Sequence, residues 1–456
     1  MFRFINREEE LEFLERRFRE KLPQILIVYG RRRVGKTELI KTFCEGKKFV
    51  YFLADKRGTL VNSERFAEIT AEYFKDVKPE VKNFDNAFRY TVKRAGKEKM
   101  IIVIDEFSYL VEKDSSIPSV FQLIVDEIIK GENIVLILCG SLVSMMESLL
   151  SYKNPLYGRR TGQWKVEPLK FNQIKNFFRK YTLEQRVQAF SISGGVPFYL
   201  SIFDENRSII SNIKEKILTK GSLLYEEIEF LLREELRDYS TYFSILEAIV
   251  NGNTKISEIA NFSKVEAKDL PKYLNVLIKL GIVERIVPVT EKLKSKKAIY
   301  LIKDNFFRFW FKFVYPNKSY LEIDNTDYVI KKIGKEFNSF VGKAFEEIGK
   351  ELLIESNRSN KLPFKFDKIG KWWYKDKEID VVLLSKEKKK IAFFEVKWQD
   401  LSFKEAEKIL KELEEKARFV SWFNKKRREY FGIIAKGIEK KGELKRRGYF
   451  VFDLKV

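Results

Sequence analysis

Gly30, Gly35, Lys36 and Thr37 are the fixed positions of the stretch Gly30-Arg31-Arg32-Arg33-Val34-Gly35-Lys36-Thr37-Glu38. Their pattern, G-x-x-x-x-G-K-[ST], is one that cradles a polyphosphate. The two glycines let the backbone curl until successive N–H groups point inward, and the following helix adds its positive N-terminal end. Lys36 is placed to reach the outer phosphates as a point charge, and the Thr37 hydroxyl suits Mg²⁺. A nucleotide and Mg²⁺ are the expected cofactors.

A second set tests the first. The run Met100 to Ile104 ends in Asp105-Glu106. Asp105 is expected to hold Mg²⁺ from a strand neighbouring the loop, and Glu106 to orient and deprotonate the attacking water. A further apolar run, Ile134 to Cys139, ends in Gly140-Ser141. Ser141 either contacts the terminal phosphate or the water, or simply caps the next helix. Arg159, in the basic loop Pro155 to Arg160, is placed to stabilise charge on a transferring phosphoryl group, in cis or from a neighbouring subunit.

The third set lies far downstream. Two apolar runs, Ile379 to Leu384 and Ile391 to Val396, flank a polar turn. If the hairpin is symmetric, Leu384 faces Ile391 and Asp380 faces Glu395, with Lys397 on the same face as Glu395. Two opposed carboxylates repel. A divalent cation between them relieves that repulsion, with Glu346 completing its shell and Lys397 stabilising charge at phosphorus. The alternative is a hairpin with charges on a solvated face.

The elements needed to position these groups are legible. Ile25 to Tyr29 leads into the loop, and Leu39, Ile40 and Phe43 leave it with helical spacing. Continuous β-branched runs at 49–53, 100–104 and 134–139 read as strands buried on both faces, hence a parallel α/β sheet covered by helices. Asn6-Arg7-Glu8-Glu9 reads as a helix cap. The nucleotide-binding P-loop core is expected over 1–168. A helical lid follows over 169–235, interrupted by Ser193-Gly194-Gly195-Val196-Pro197. Three helices and a hairpin over 236–303 give a winged-helix pattern, whose third helix carries Lys264, Lys268, Lys272 and Lys279. Residues 304–319 read as an aromatic linker, and 320–456 as a final α/β domain.

Bulk composition narrows the function. The chain has 456 residues and a net charge of +22, from 88 Lys and Arg against 66 Asp and Glu. That excess points to an anionic partner, DNA first; abundant charge of both signs is also a mark of heat-adapted proteins. Histidine is absent, which excludes Ser-His-Asp hydrolysis, His-ligated zinc and His phosphotransfer. Cys44 and Cys139 sit in apolar contexts, as reduced thiols do in a cytoplasmic protein. No signal-like block or bilayer-length run is visible, so a cytoplasmic protein without a membrane partner is expected.

The set Phe4-Ile5-Asn6-Arg7-Glu8, GRRRVGKT, Ile101 to Phe107, Gly140-Ser141, Pro155 to Arg159 and Gly194-Gly195-Val196-Pro197 resembles the archaeal AAA-like P-loop ATPases related to signalling NTPases. The resemblance covers 1 to about 300. It implies that Lys36, Thr37, Asp105 and Glu106 carry ATP binding and hydrolysis, that Ser141 is a sensor and Arg159 a finger or sensor, and that Gly195 and Pro197 lie near the adenine. The tail, with Glu346, Glu378-Ile379-Asp380 and Glu395-Val396-Lys397, resembles the C-terminal domain fused to that family and the PD-(D/E)xK, restriction-endonuclease-like nucleases. The joint expectation is an ATP-hydrolysing enzyme that acts on DNA, with a Mg²⁺-dependent nuclease domain. The alternative is an ATP-switched DNA-binding regulator or signalling NTPase that does not cut.

Overall fold

The computed structural model describes residues 6–236, 238–424 and 426–454. Phe4 and Ile5 of the N-terminal pattern lie outside them. The chain forms two compact units. One runs to Pro168 and takes back Val196–Phe198; the other holds Leu169–Gly195 and everything from Tyr199 onward.

The first unit is built on five parallel strands: β1 (Gln24–Tyr29), β2 (Phe49–Leu53), β3 (Met100–Asp105), β4 (Ile134–Gly140) and β5 (Gly162–Lys165), in the order β2-β3-β4-β1-β5. Every residue of β1, β3 and β4 is buried, as expected for apolar strands covered on both faces. Helices Lys36–Cys44 and Glu8–Arg19 cover one face, where Phe13, Leu14, Leu39, Ile40 and Phe43 meet Leu26, Val28, Ile101, Val103, Val135 and Ile137. Rings of Phe52, Phe66, Phe84, Phe88, Phe107 and Phe121 pack together elsewhere in the unit. The helix Phe84–Ala95, absent from the sequence reading, supplies two of those rings.

One expectation is corrected here. The Asp105 strand does not neighbour the loop strand, because β4 runs between β3 and β1. Parallel strands end at the same edge, so Asp105 and the loop still meet there while the end of β4 lies between them.

The second unit contains three helices, Tyr239–Val250, Ile256–Ser263 and Leu270–Lys279, followed by the antiparallel ribbon β6 (Val283–Ile286) and β7 (Ile299–Ile302). Residues 304–319 are not a linker. They fold as the helical run Asn305–Phe309, Trp310–Val314 and Tyr315–Asn317, with Phe306, Phe307, Phe309, Trp310, Phe311 and Phe313 buried. Such a concentration of rings is driven out of water rather than left in a tether. The segment read as a lid joins this unit. The Asn305 amide donates to the Phe190 carbonyl at 3.0 Å, and Tyr199 packs on Phe306.

The helix Thr326–Arg358 then covers a mixed sheet, β12-β11-β10-β9-β8, made from β8 (Lys368–Tyr374), β9 (Lys377–Ser385), β10 (Lys390–Leu401), β11 (Arg428–Ile438) and β12 (Phe450–Asp453). Strands β8, β9 and β10 are antiparallel, while β11 and β12 add in parallel. The helix Phe403–Ala417 makes the crossover that a parallel partner requires. Among the described residues, no helix is long and apolar enough to cross a membrane.

Candidate functional site

In the first unit the loop after β1 is shaped by two glycines for different reasons. A Cβ at Gly30 would stand 2.4 Å from the Val166 carbonyl oxygen, so close approach of the segment after β5 requires glycine. Gly35 has φ +87°, the left-handed region, at the start of helix Lys36–Cys44. Lys36 is buried and its ammonium donates to the Arg31 carbonyl at 3.1 Å. Arg31 and Val34 are buried within the loop, and Glu38 is exposed in the first helical turn. Arg32 donates to the Tyr109 hydroxyl at 2.7 Å, and Arg33 lies 3.9 Å from the Phe198 ring centroid. Pro197 comes within 3.8 Å of a Cβ placed on Gly35, so Val196–Phe198 rests on the loop. Gly195 belongs to the second unit, where its backbone presses on Leu169 and leaves no room for a side chain.

Asp105, 2% exposed at the end of β3, is held by side-chain and backbone donors. Thr37 Oγ1 donates to Oδ2 at 2.9 Å, the Tyr51 hydroxyl donates to the same oxygen, and the Glu106 N–H reaches Oδ1 at 2.9 Å. Burial, then the charge of Asp105, pushes the Tyr51 phenol far above its ordinary pKa, so it stays a donor. Glu106 takes the left-handed conformation, φ 52°, which costs a non-glycine residue conformational energy. That geometry turns its carboxylate to accept from Ser141 Oγ at 2.7 Å. The donor set fits a nucleotide with Mg²⁺: a buried ammonium, a glycine cradle, and a hydroxyl and carboxylate already in contact.

Gly30 to Thr37, Asp105, Glu106 and Ser141 thus gather at one sheet edge. Arg159 does not join them: its guanidinium pairs with Asp126 at 3.0 Å and also donates to the Pro155 carbonyl. Two contributors went unread. Tyr51 had a signal, a polar-tipped ring in the apolar strand beside Asp105. Arg7 occupies the cap position of helix Glu8–Arg19 without a side-chain cap bond and instead donates to the Val34 carbonyl at 2.8 Å, supporting the loop.

In the second unit β9 and β10 pair with Leu384 opposite Ile391, through to Val381 opposite Phe394. The next pair in that register is Asp380 and Glu395. There the ladder ends, because Asp380 Oδ2 accepts from the Val396 N–H at 2.9 Å. Both carboxylates are buried, 7% and 2% exposed. Their repulsion is not left open: Lys397 donates to both, reaching Asp380 at 3.0 Å, and Lys416 donates to Glu395 Oε1 at 2.8 Å. Burial opposes the charge on Asp380, but Lys397 and the Val396 N–H more than offset it and hold that carboxyl below its ordinary range. Burial, then the Asp380 charge, holds Glu395 above its own. The two acids are pushed apart in proton affinity, a pattern common at reactive sites.

Glu346, on the long helix, pairs with Lys371 at 3.1 Å and feels the Asp380 charge. Among the described residues, no group of three or more acidic, cysteine or histidine side chains is gathered tightly enough to hold a metal. Two carboxylates suffice for Mg²⁺, which keeps several waters. Lys416 carried no sequence signal that set it apart from the other lysines of its helix.

Comparison with known proteins places this geometry. Residues 4–203 match the family described as "ATPase domain predominantly from Archaea", and residues 310–409 match "Archaea bacterial proteins of unknown function". An uncharacterised protein of Methanocaldococcus jannaschii is 39% identical over 442 residues, 96% of this chain and 97% of its own length. An uncharacterised ATP-binding protein of the same organism is 64% identical over 45 residues, 10% of this chain and 76% of its own. The solved Walker-type ATPase of Pyrococcus abyssi shares the fold, with a TM-score of 0.50 and 21% identity over 68% of this chain and 96% of its own. Residues 4–203 are thus an archaeal P-loop ATPase domain, followed by a C-terminal domain of unknown function, and the chain belongs to the same family as the full-length Methanocaldococcus jannaschii relative.

Proposed function

We propose that the chain hydrolyses ATP and acts on DNA, which its C-terminal domain cuts with the help of Mg²⁺. The observation that carries this reading is the convergence of Asp380, Glu395 and Lys397 at the point where β9 and β10 part. A solvated charged face has no use for carboxylates this buried.

In the ATPase unit Lys36 would counter the outer phosphates, Thr37 and Asp105 would hold Mg²⁺, which would supply charge neutralisation at the phosphates, and Glu106 would take the proton of the attacking water. Ser141, bonded to Glu106 at 2.7 Å, restrains that carboxylate and suits a sensor of the terminal phosphate. Arg159, paired at the surface with Asp126, suits a finger offered to a neighbouring subunit better than one acting in its own site. Val196–Phe198, resting on the loop, supports an adenine-side role for Pro197.

In the C-terminal domain Asp380 and Glu395 would hold Mg²⁺, which supplies charge neutralisation at the scissile phosphate. Lys397, released from its bridge between them, would then face the phosphate. Residues 236–303, with three helices and a ribbon, support a winged helix that presents Lys264, Lys268 and Lys272 to a groove.

A regulator that binds DNA without cutting is the second reading. It draws support from the two ammonium groups that already neutralise the acidic pair. Incubation of several DNA structures with Mg²⁺ or Mn²⁺, with and without ATP, separates the two. Cleavage is expected; DNA binding with no cleavage of any structure favours the regulator.

A further inference from the structure

The loop that joins β6 to β7 plays no part in the chemistry proposed above. Its tip is Lys292-Leu293-Lys294-Ser295-Lys296-Lys297, with Leu293 77% exposed and the four lysines exposed around it. A single exposed leucine is ordinary. This one is distinguished by how firmly the chain holds it out. The Arg285 guanidinium donates to the Leu293 carbonyl at 2.6 Å and to the Ser295 carbonyl at 2.9 Å. Lys297 pairs with Glu291 at 2.6 Å across the base of the tip.

The start of the loop is built into the C-terminal sheet. Val289 is buried in the core cluster of Trp372, Ile379, Val382 and Leu384, and its N–H donates to the Lys371 carbonyl at 2.9 Å. A Cβ at Gly370 would stand 3.2 Å from the Val289 Cβ. Lys368 closes the contact by donating to the Glu291 carbonyl at 3.0 Å. The β8–β9 ladder slips between Gly370 and Trp372, a bulge that sets Lys371 opposite both Asp380 and Val381. Val289 is therefore two strand spacings, ~10 Å, from the Asp380 backbone. Leu293 follows shortly after, so at most ~14 Å of chain separates it from Val289. The tip thus lies within ~25 Å of the acidic centre, the length of about seven base pairs.

We infer that this tip is a DNA wedge: Leu293 enters the minor groove between two base pairs, and Lys292, Lys294 and Lys296 neutralise the flanking phosphates. Apolar side chains used this way unstack a base step and kink the duplex by about 20–90°. A tip fixed to β8 then sets a constant spacing between the kink and the Asp380 centre. A leucine among lysines also suits an anionic lipid surface; the link to a buried carboxylate pair favours DNA. The inference rests on the reading that the chain acts on DNA.

The test uses the full chain and a short DNA duplex labelled at both ends, in EDTA so that nothing is cut. Anisotropy gives the affinity, and energy transfer between the ends reports the bend. The wild type should bind and raise energy transfer. Leu293→Ser should bind roughly tenfold more weakly, as loss of a buried leucine does, with an unchanged salt slope and no rise in energy transfer. The double variant Lys294→Ala, Lys296→Ala should lower the slope of log K against log salt by about 2 yet still bend the duplex at saturation. Leu293→Met keeps an apolar tip of similar volume and should behave as the wild type. Thermal melting reports whether each variant is folded. A Leu293→Ser protein that binds and bends the duplex like the wild type overturns the inference. So does one that loses binding to phosphatidylserine vesicles while its DNA binding stays intact. A wild type that binds no duplex at roughly 50 mM salt instead removes the reading that the chain acts on DNA, and the wedge with it.

Discussion

Replacing Lys397 by Met removes one charge and keeps nearly the same volume. Its ammonium lies 3.0 Å from Asp380 Oδ2 and also bonds Glu395 Oε2, both on buried carboxylates. Removing one partner of a buried pair costs roughly 3–5 kcal/mol, because the remaining charge is left uncompensated. Two features lower the figure here. Lys416 still holds Glu395 at 2.8 Å, and the Lys397 side chain is 34% exposed, so water screens part of the interaction. A loss of about 2 kcal/mol is expected, or about 3–4 °C in melting temperature for a unit of this size. A divalent ion restores it. At 100 times its dissociation constant the ion returns about 2.7 kcal/mol. The wild type gains less, because its own ammonium must first be displaced. The assay is thermal melting of both proteins in EDTA and in millimolar Mn²⁺, with the larger metal-induced rise expected in Lys397→Met. A variant as stable as the wild type in EDTA, or one that Mn²⁺ does not stabilise, refutes the reasoning. The same geometry decides what Asp380→Asn should do. With Lys397 already between the acids, that change relieves little repulsion and does not by itself stabilise the metal-free protein.

Other consequences can be measured independently. Lys36→Ala should abolish ATP hydrolysis, and Glu106→Gln should bind ATP but turn it over at least ~100-fold more slowly, as loss of a general base does; wild-type rates in either would remove the assigned roles. DNA affinity should fall steeply with salt, since many lysines and arginines replace counterions; a flat response would assign the +22 charge to heat adaptation. Burial pushes the Glu351 carboxyl up to about 7, although the Phe171 N–H at 2.9 Å and Lys170 pull it back. Its folded-state value therefore exceeds the unfolded one. The group's stabilising contribution is full below the unfolded value of about 4.3 and is lost as pH rises through the folded value. Glu351→Gln should thus gain stability relative to the wild type between pH 5 and 8, by at most ~3 kcal/mol. An unchanged difference in melting temperature across that range would contradict this.

The phosphate loop and the Asp105 strand were legible because each is a local signal: a fixed spacing in one case, an unbroken apolar run ending in acids in the other. The pairing of Leu384 with Ile391 was equally readable, because a hairpin with a centred turn has one symmetric register. What the sequence withheld depends on contacts between distant segments. That β4 separates β1 from β3 follows from strand order, which no local pattern encodes. Lys416 meets Glu395 only because the crossover helix brings it back over the sheet. The aromatic run Phe306 to Tyr315 looked like a tether because it lies between two recognisable modules, yet its rings are core. Arg159 shows the same limit from the other side: its basic loop was clear, but its partner, Asp126, was not.

The most direct test of the account is DNA cleavage by the purified Asp380→Asn, Lys397→Ala double variant beside the wild type, in Mn²⁺ with ATP hydrolysis recorded on the same samples. The wild type should cut and the double variant should not, while both hydrolyse ATP at comparable rates. A double variant that cuts as well as the wild type would contradict the assignment of Asp380, Glu395 and Lys397 as the cutting site.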